Sequence, residues 1–208
     1  MIVQWCVKGM SLGSDTEAKS VIDNRAGIIC NWWRAVQTIT PHERRVKLTD
    51  DNIDMHVNHF TDPDPATGKP FHEQTPFISL TAGSIERDTF AKTNFAHTAR
   101  RTALWFATDF GRHETAYLFR CWVLVGPRPA VEIEGVAEEV RDLNTYRRYS
   151  AYQPEGEIVA KIIVPDNHIH SCEKWVWDRR RLSFSQAWTH PNPRFTSPEK
   201  LSNVRELI

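Results

Sequence analysis

The sequence lacks an excess of charge of either sign. Its 208 residues include 26 lysines and arginines and 26 aspartates and glutamates, so the formal net charge is zero. A neutral chain creates no long-range field that would attract nucleic acid or an anionic membrane. Any binding of that kind must therefore depend on a local cluster of charges.

Membrane-spanning and secretion signals are also absent from the sequence. It contains no run of about 18 apolar residues, and the stretch from Met1 to Gly9 has neither a basic lead nor a small-residue cleavage site. We therefore expect a chain that does not bind membranes. We expect it to act in a cytoplasm, either that of its own cell or that of a host into which it is delivered.

Cysteine is scarce, with four residues in the chain. Cys6, Cys30, Cys121 and Cys172 show none of the close spacings that hold zinc, and three of them have apolar or aromatic neighbours. This pattern is typical of buried thiols that stay reduced. It favours a reducing compartment and agrees with the cytoplasmic location expected above.

The length and composition predict one globular domain over residues 1–208. Of these residues 40% are hydrophobic and 25% are charged, which is enough apolar material for one sizeable core. Periodicity and turn residues predict strands over 26–36, 75–81, 117–125, 131–133, 157–164 and 167–176, and helices over 49–58, 89–110 and 136–149. The region that carries the motifs runs from about 26 to 177, and 183–208 is predicted to be a loop-rich tail.

Three polar clusters each fall on a short predicted strand or at its entrance. In chain order they are Arg34, then Ser79 with Thr81, then Glu155 with Glu157. This order resembles the Arg, Ser-x-Ser/Thr, Glu-x-Glu pattern of cholera-toxin-like mono-ADP-ribosyltransferases. The likeness spans residues 33 to about 165. It departs from the family at Leu80, where a small hydroxyl residue is usual.

The resemblance implies a fold, a substrate and a reaction. The fold would be α+β, with two packed and mostly antiparallel sheets, helices around them and an NAD cleft between the sheets. The reaction would transfer ADP-ribose from NAD to a macromolecule and release nicotinamide. Because an acid stands at Glu155, arginine is the favoured acceptor side chain, and protein is favoured over nucleic acid as the acceptor.

The residue types suit that chemistry. Cleavage of the bond between nicotinamide and ribose develops positive charge on the sugar, which a carboxylate stabilises, and Glu157 is the candidate. A guanidinium can bind the pyrophosphate with two hydrogen bonds, and Arg34 is the candidate. Ser79 would order the ribose and the glutamate without adding charge. The expected NAD-binding set is Arg34, Ala35, Phe77, Ser79 and Thr81.

The register of the glutamate segment has two interpretations. In the favoured one, Glu157 is catalytic and Glu155 prepares the acceptor, because the apolar strand starts directly after Glu157. In the other, Glu155 is catalytic and Gln153 positions the acceptor, which resembles enzymes that modify other side chains or guanine bases. Two further functions stay open at this point: hydrolysis of NAD without an acceptor, and a non-catalytic binding module of the same fold.

Nine histidines raise the question of a metal site. The most obvious pair, His56 and His59, lies at the end of a predicted helix, and a second pair, His168 and His170, lies on a predicted strand. A zinc site needs three or four converging ligands, and each pair supplies half of one. The sequence predicts no metal.

Overall fold

The computed structural model describes residues 1–36, 40–83, 98–140, 156–198 and 204–206. The strands in this part of the chain are β1 (Ile2–Met10), β2 (Ile28–Ile29), β3 (Phe77–Thr81), β4 (Thr115–Val125), β5 (Glu157–Lys161), β6 (Ile163–Val164), β7 (Ile169–Asp178), β8 (Ser183–Pro191) and β9 (Val204–Arg205). The α-helices are α1 (Asp15–Asp23), α2 (Asn31–Val36), α3 (Pro41–Lys47), α4 (Asp50–Asn58) and α5 (Ala99–Ala107). Single 3-10 turns cover Phe71–Glu73 and Asp166–His168.

Seven of these strands form one large sheet. Its order is β5-β3-β1-β4-β7-β8, with β9 beside β1, and β2 and β6 form a small second sheet. All pairings between these strands are antiparallel except the parallel one between β1 and β9. The predicted mixed architecture of helices and antiparallel sheets is confirmed, with the strands divided unequally between the two sheets.

Strand β1 lies near the middle of the large sheet, and its two faces are both covered. Cys6 points into the main core, which also contains buried residues of α1, α2 and α4. Val7 points to the opposite face, where it packs with buried residues of α5 such as Ala103. Helix α5 lies so close to β1 that a Cβ on Gly9 would stand 2.1 Å from the carbonyl oxygen of Ala103. Glycine is therefore required at that crossing.

One carboxylate of helix α1 forms hydrogen bonds to three adjacent strands of the large sheet. Asp15 accepts hydrogen bonds from the Lys174 ammonium at 2.8 Å, the Tyr117 hydroxyl at 2.7 Å and the Trp188 indole at 3.1 Å. These bonds, that of Lys174 foremost, lower the pKa of Asp15 to about 2. A single residue of α1 thereby binds β4, β7 and β8 together.

The predicted strand over 26–36 is mostly wrong. Only Ile28–Ile29 is a strand, and α2 follows from Asn31, so Arg34 lies on a helix. The backbone N–H of Trp32 donates to the Thr75 carbonyl, and that of Arg34 donates to Cys30, which starts a helical turn. A short apolar run does not distinguish a buried strand from a buried helical turn, and tertiary hydrogen bonds decided between them.

Residues 131–140 were also predicted wrongly. A turn replaces the strand over 131–133. The carbonyls of Ala130 and Ile133 face the buried Lys161 ammonium, which donates a hydrogen bond to each of them, at 2.6 and 3.0 Å. The start of the predicted helix is extended instead, and Glu138 bridges to Val159 of β5. Residues 141–149 of that prediction lie outside the described part of the chain.

The segment after Ser183 was predicted to be loop, but it forms the nine-residue strand β8. Its alternation places Phe184 against Trp177, with ring centroids 4.7 Å apart, and Trp188 against Tyr117 at 6.0 Å. The serines and prolines that suggested a loop stand on its exposed positions and at its end. The helix over 49–58 is confirmed, as are the strands that became β3, β4, β5 and β7 and the described part of the helix over 89–110.

Candidate functional site

A cleft of about 320 Å³ opens where β1 and β3 part from each other. The two strands pair through Val7 and Thr81, and the residues that follow Val7 and precede Thr81 line the cleft. Helices α2 and α4 and the 3-10 turn at Phe71–Glu73 contribute to one side, and α5 contributes to the other. The cleft therefore lies where α2, α4 and α5 meet the large sheet.

Glu157 enters this cleft from the first position of β5. It pairs with Thr81 across the strands and is 7% exposed. The residue before it, Gly156, has a φ of 61°, and a Cβ there would lie 2.2 Å from the backbone of Gly83. The Ala82 N–H also donates to the Gly156 carbonyl at 2.9 Å. Since only glycine fits this crossing, the backbone places Glu157 at the cleft wall.

His56 connects two hydroxyl side chains at the floor of the cleft. Its Nδ1 lies 2.9 Å from the Thr75 hydroxyl, and its Nε2 lies 2.9 Å from the Ser79 hydroxyl. The Thr75 oxygen in turn accepts from the Phe77 N–H at 3.2 Å. The same Nε2 is 3.9 Å from Glu157. Both nitrogens of the ring are thus held in place, and Ser79 and Glu157 share one of them as a neighbour.

The ring of His56 is neutral. Burial lowers its pKa to about 3, and the positive charge of Lys8 acts in the same direction. A neutral imidazole has one nitrogen that donates and one that accepts. The contact with Glu157 is therefore not an ion pair, and His56 holds Ser79 in a defined orientation without adding charge to the cleft.

This neutral histidine makes stability depend on pH. Its folded pKa of about 3 lies below the unfolded value of about 6.5, so the unfolded chain binds the proton first as the pH falls. We expect the free energy of unfolding to decrease between about pH 6.5 and 3, by about 1 kcal/mol per pH unit from this group. Burial also lowers the pKa of His168, to about 4, which adds a decrease of the same sign.

Urea denaturation at several pH values measures this effect. His56→Gln should flatten the pH dependence, because glutamine can bond to both hydroxyls and does not titrate. His113→Gln, on an exposed loop, is the matched control and should leave the slope as it is. An unchanged slope in His56→Gln would contradict the assignment.

Two cations share the cleft with Glu157. Lys8 is partly buried near the end of β1, and Arg34 is exposed on α2. Burial lowers the pKa of Lys8, Arg34 lowers it further, and the charge of Glu157 opposes both. Arg34 was expected on a strand, and the structure corrects this: the cation that a strand carries into the cleft is Lys8.

The other predicted site residues are divided. Phe77, Ser79 and Thr81 line the cleft together with Glu157 and Arg34. Ala35 is exposed on α2 and is not among the described residues of the lining. Glu155 and Gln153 lie outside the described residues.

Sequence reasoning missed Lys8 and His56 as members of the site. A signal for each was present. Lys8 is a single cation near the end of an apolar strand, and His56 stands with Ile53 and Val57 on the buried face of α4. Each of these patterns is more often purely structural, so neither identified a site alone.

The structure adds three observations, on metals, membranes and cysteines. Among the described residues, no group of three or more histidine, cysteine, aspartate or glutamate side chains could hold a metal ion. No helix in the described ranges has the length and hydropathy required to cross a bilayer. All four cysteines are free and buried.

Comparisons with known proteins concern the fold. No protein-family model and no curated protein matches the sequence. Among solved structures, EcPltA is similar with a TM-score of 0.53 and 13% identity, over 94% of this chain and 89% of that one. A heat-labile enterotoxin variant gives 0.46 and 12%, over 96% and 81%. The catalytic domain of the Bacillus sphaericus mosquitocidal toxin gives 0.44 and 12%, over 98% and 64%. The likeness to EcPltA shows that the two chains share a fold, a large antiparallel sheet with helices around it.

Proposed function

We propose that this protein cleaves NAD and transfers ADP-ribose to a protein, with release of nicotinamide. The observation that carries the proposal is one cleft in which Glu157 lies beside the His56–Ser79 pair and shares the space with two cations. The proposed reaction uses a carboxylate, an oriented hydroxyl and two positively charged side chains.

Glu157 is proposed to stabilise the reacting sugar. The bond between the ribose C1′ and the nicotinamide nitrogen breaks, and nicotinamide leaves with the electron pair. In the transition state neither the leaving nicotinamide nor the incoming acceptor is fully bonded to C1′, so the ribose carries its largest positive charge. A carboxylate fixed beside the sugar stabilises that charge and lowers the barrier. Gly156 and the pairing with Thr81 hold Glu157 firmly enough for that role.

Ser79 is proposed to hold a ribose hydroxyl next to Glu157. Its orientation comes from His56, which the Thr75 hydroxyl fixes on the other side. Because His56 is neutral, it does not oppose the positive charge that develops on the sugar. An imidazolium at this distance from Glu157 would instead neutralise the carboxylate that the reaction needs.

Lys8 and Arg34 are proposed to bind the pyrophosphate of NAD. Both line the same cleft, and they are close enough for Arg34 to lower the pKa of Lys8. A pyrophosphate carries two negative charges, which would relieve this repulsion. The planar guanidinium of Arg34 can donate two parallel hydrogen bonds, whereas the Lys8 ammonium acts as a point charge.

The acceptor is proposed to be an arginine side chain. In the favoured register Glu155 accepts the proton that the guanidinium nitrogen loses as it bonds to C1′. Nicotinamide leaves as a neutral molecule, and loss of this proton removes the positive charge that the ribose carried. The position of Glu157 as first residue of β5 and its contact with the cleft support that register. Gln153 and Glu155 would take over these roles if the register were shifted by two residues.

An assay with two readouts tests the proposal. The protein is incubated with NAD carrying a label on the adenylate, with and without a cell lysate. Nicotinamide release and labelling of lysate protein are both expected. Nicotinamide release equal in rate with and without lysate, with free ADP-ribose as the sole labelled product, would identify a NAD glycohydrolase instead. Absence of nicotinamide release at any enzyme concentration would refute the proposal.

A further inference from the structure

A surface of exposed apolar and arginine side chains borders the mouth of the cleft. It is formed by the end of α5, the loop over residues 108–114 and the turn between β7 and β8 at residues 179–182. The residues that define this surface, named the arginine–aromatic ridge, are Phe106, Phe110, Arg112, Arg180, Arg181 and Leu182.

The ridge begins at the cleft, and its two loops are joined to each other. Phe106 lines the cleft, and its ring centroid is 5.3 Å from that of Phe110. The guanidinium of Arg179 donates to the Arg112 carbonyl at 2.8 Å, and the Trp177 N–H donates to the Glu114 carbonyl at 2.8 Å. The two loops are therefore joined by hydrogen bonds, and a molecule on the ridge would reach the cleft mouth.

The apolar side chains of the ridge do not contribute to the core. Phe106 is 51% exposed, Phe110 is 64% exposed and Leu182 is 74% exposed. Phe110 and Leu182 also have φ values of 54° and 51°. Bulky residues are uncommon in this left-handed region, which costs free energy and favours asparagine or glycine. Exposure and strain together indicate that folding alone does not account for these two side chains.

The charge of this surface is positive. The two loops of the ridge, residues 108–114 and 179–182, contain four arginines and two acids, in a chain whose overall formal charge is zero. All four arginines are exposed. Asp109 and Asp178 pair with Arg112 and Arg181 at 3.0 and 3.7 Å, and exposed pairs of this kind exchange readily for other partners. The ridge is thus complementary to an acidic surface.

We propose that the ridge docks an acidic protein surface and that this protein is the acceptor of ADP-ribose. This inference rests on the proposed function. Arginine and aromatic side chains are enriched at protein interfaces, where they supply much of the binding energy. A single-stranded nucleic acid would use aromatic rings for stacking, but the most exposed apolar residue of the ridge is Leu182, which does not stack. Because Phe106 belongs both to the ridge and to the cleft lining, a protein docked here would have its acceptor side chain at the mouth of the cleft.

Two double variants test the docking role. Phe110→Asn with Leu182→Asn removes the apolar contacts and suits the backbone, so its melting temperature should equal or exceed that of the natural chain. Arg180→Glu with Arg181→Glu reverses the charge. Each should reduce labelling of lysate protein by about tenfold or more, while nicotinamide release without lysate stays within about twofold. Val46→Asn, an exposed apolar residue on α3, is the matched control and should change neither readout.

Three results would overturn the inference in distinguishable ways. Unchanged protein labelling in both double variants would show that the ridge does not bind the acceptor. A labelled product that nuclease destroys and protease leaves intact would show that the acceptor is a nucleic acid. Absence of nicotinamide release from the natural chain would refute the proposed function, and with it the assignment of the ridge.

Discussion

Glu157→Gln is expected to lower the rate of nicotinamide release by about 10²- to 10³-fold, the usual effect of removing one group that stabilises transition-state charge. Glutamine has the shape of glutamate and lacks its charge. The residue is 7% exposed, so the neutral amide avoids the cost of keeping a carboxylate out of water. The fold should therefore survive, and the loss should appear in kcat more than in KM.

Two further variants make this measurement specific. Glu73→Gln, on an exposed turn outside the cleft lining, should release nicotinamide at the rate of the natural chain. Glu155→Gln should retain nicotinamide release and lose transfer to arginine. The opposite outcome, a large loss in Glu155→Gln and a small one in Glu157→Gln, would show that the catalytic role belongs to Glu155 and that Gln153 positions the acceptor. Thermal unfolding of each variant verifies that the fold is intact.

Lys161→Met is expected to reduce the free energy of unfolding by about 3–5 kcal/mol, which is the typical cost of breaking a buried ion pair. The Lys161 ammonium is fully buried and donates to Glu138 at 2.6 Å as well as to two carbonyls of the preceding loop. Without it, the Glu138 carboxylate stays buried with its main partner lost. For a domain of this size the melting temperature should fall by about 10 °C.

A second substitution separates the charge from the hydrogen bonds. Lys161→Met combined with Glu138→Leu removes both charges and should recover part of the loss. The carbonyls of Ala130 and Ile133 still lack their donor in that variant, so a cost of about 1–3 kcal/mol should remain. Glu134→Gln removes the charge of a half-buried pair between Glu134 of the same loop and Arg44 of α3, and should cost less than about 1 kcal/mol. A loss below 1 kcal/mol in Lys161→Met would contradict this account.

The Lys161 pair also bears on the site. Lys161 lies on β5, four residues after Glu157, and the loop that it holds pairs with Val159 between them. The strand that carries the proposed catalytic carboxylate is therefore bonded on both edges, to β3 on one side and to Glu138 on the other. The sequence did not indicate this, since a lysine in an apolar strand predicts exposure at an edge.

The elements that were predicted correctly are those with a local signal in the sequence. The strands of Ser79 and Glu157 were predicted correctly because alternation and the flanking Pro76 and Gly156 are local signals. Helix α4 was predicted because a threonine cap precedes it and Ile53 and Val57 are four residues apart. The strand β8 and the helix α2 were missed because their positions depend on partners distant in the chain, such as Tyr117 for Trp188 and Thr75 for Trp32.

The sequence by itself determined the order and chemical types of the proposed catalytic groups, since the hydroxyl of Ser79 and the carboxylate of Glu157 follow from residue identity and local alternation. Only the tertiary structure decided which further side chains join them. His56 enters the site because α4 packs beside β3, and Lys8 enters it because β1 and β3 part beyond Val7 and Thr81. Such proximity depends on the packing of elements that are far apart in the chain, and no pattern within a single segment encodes it.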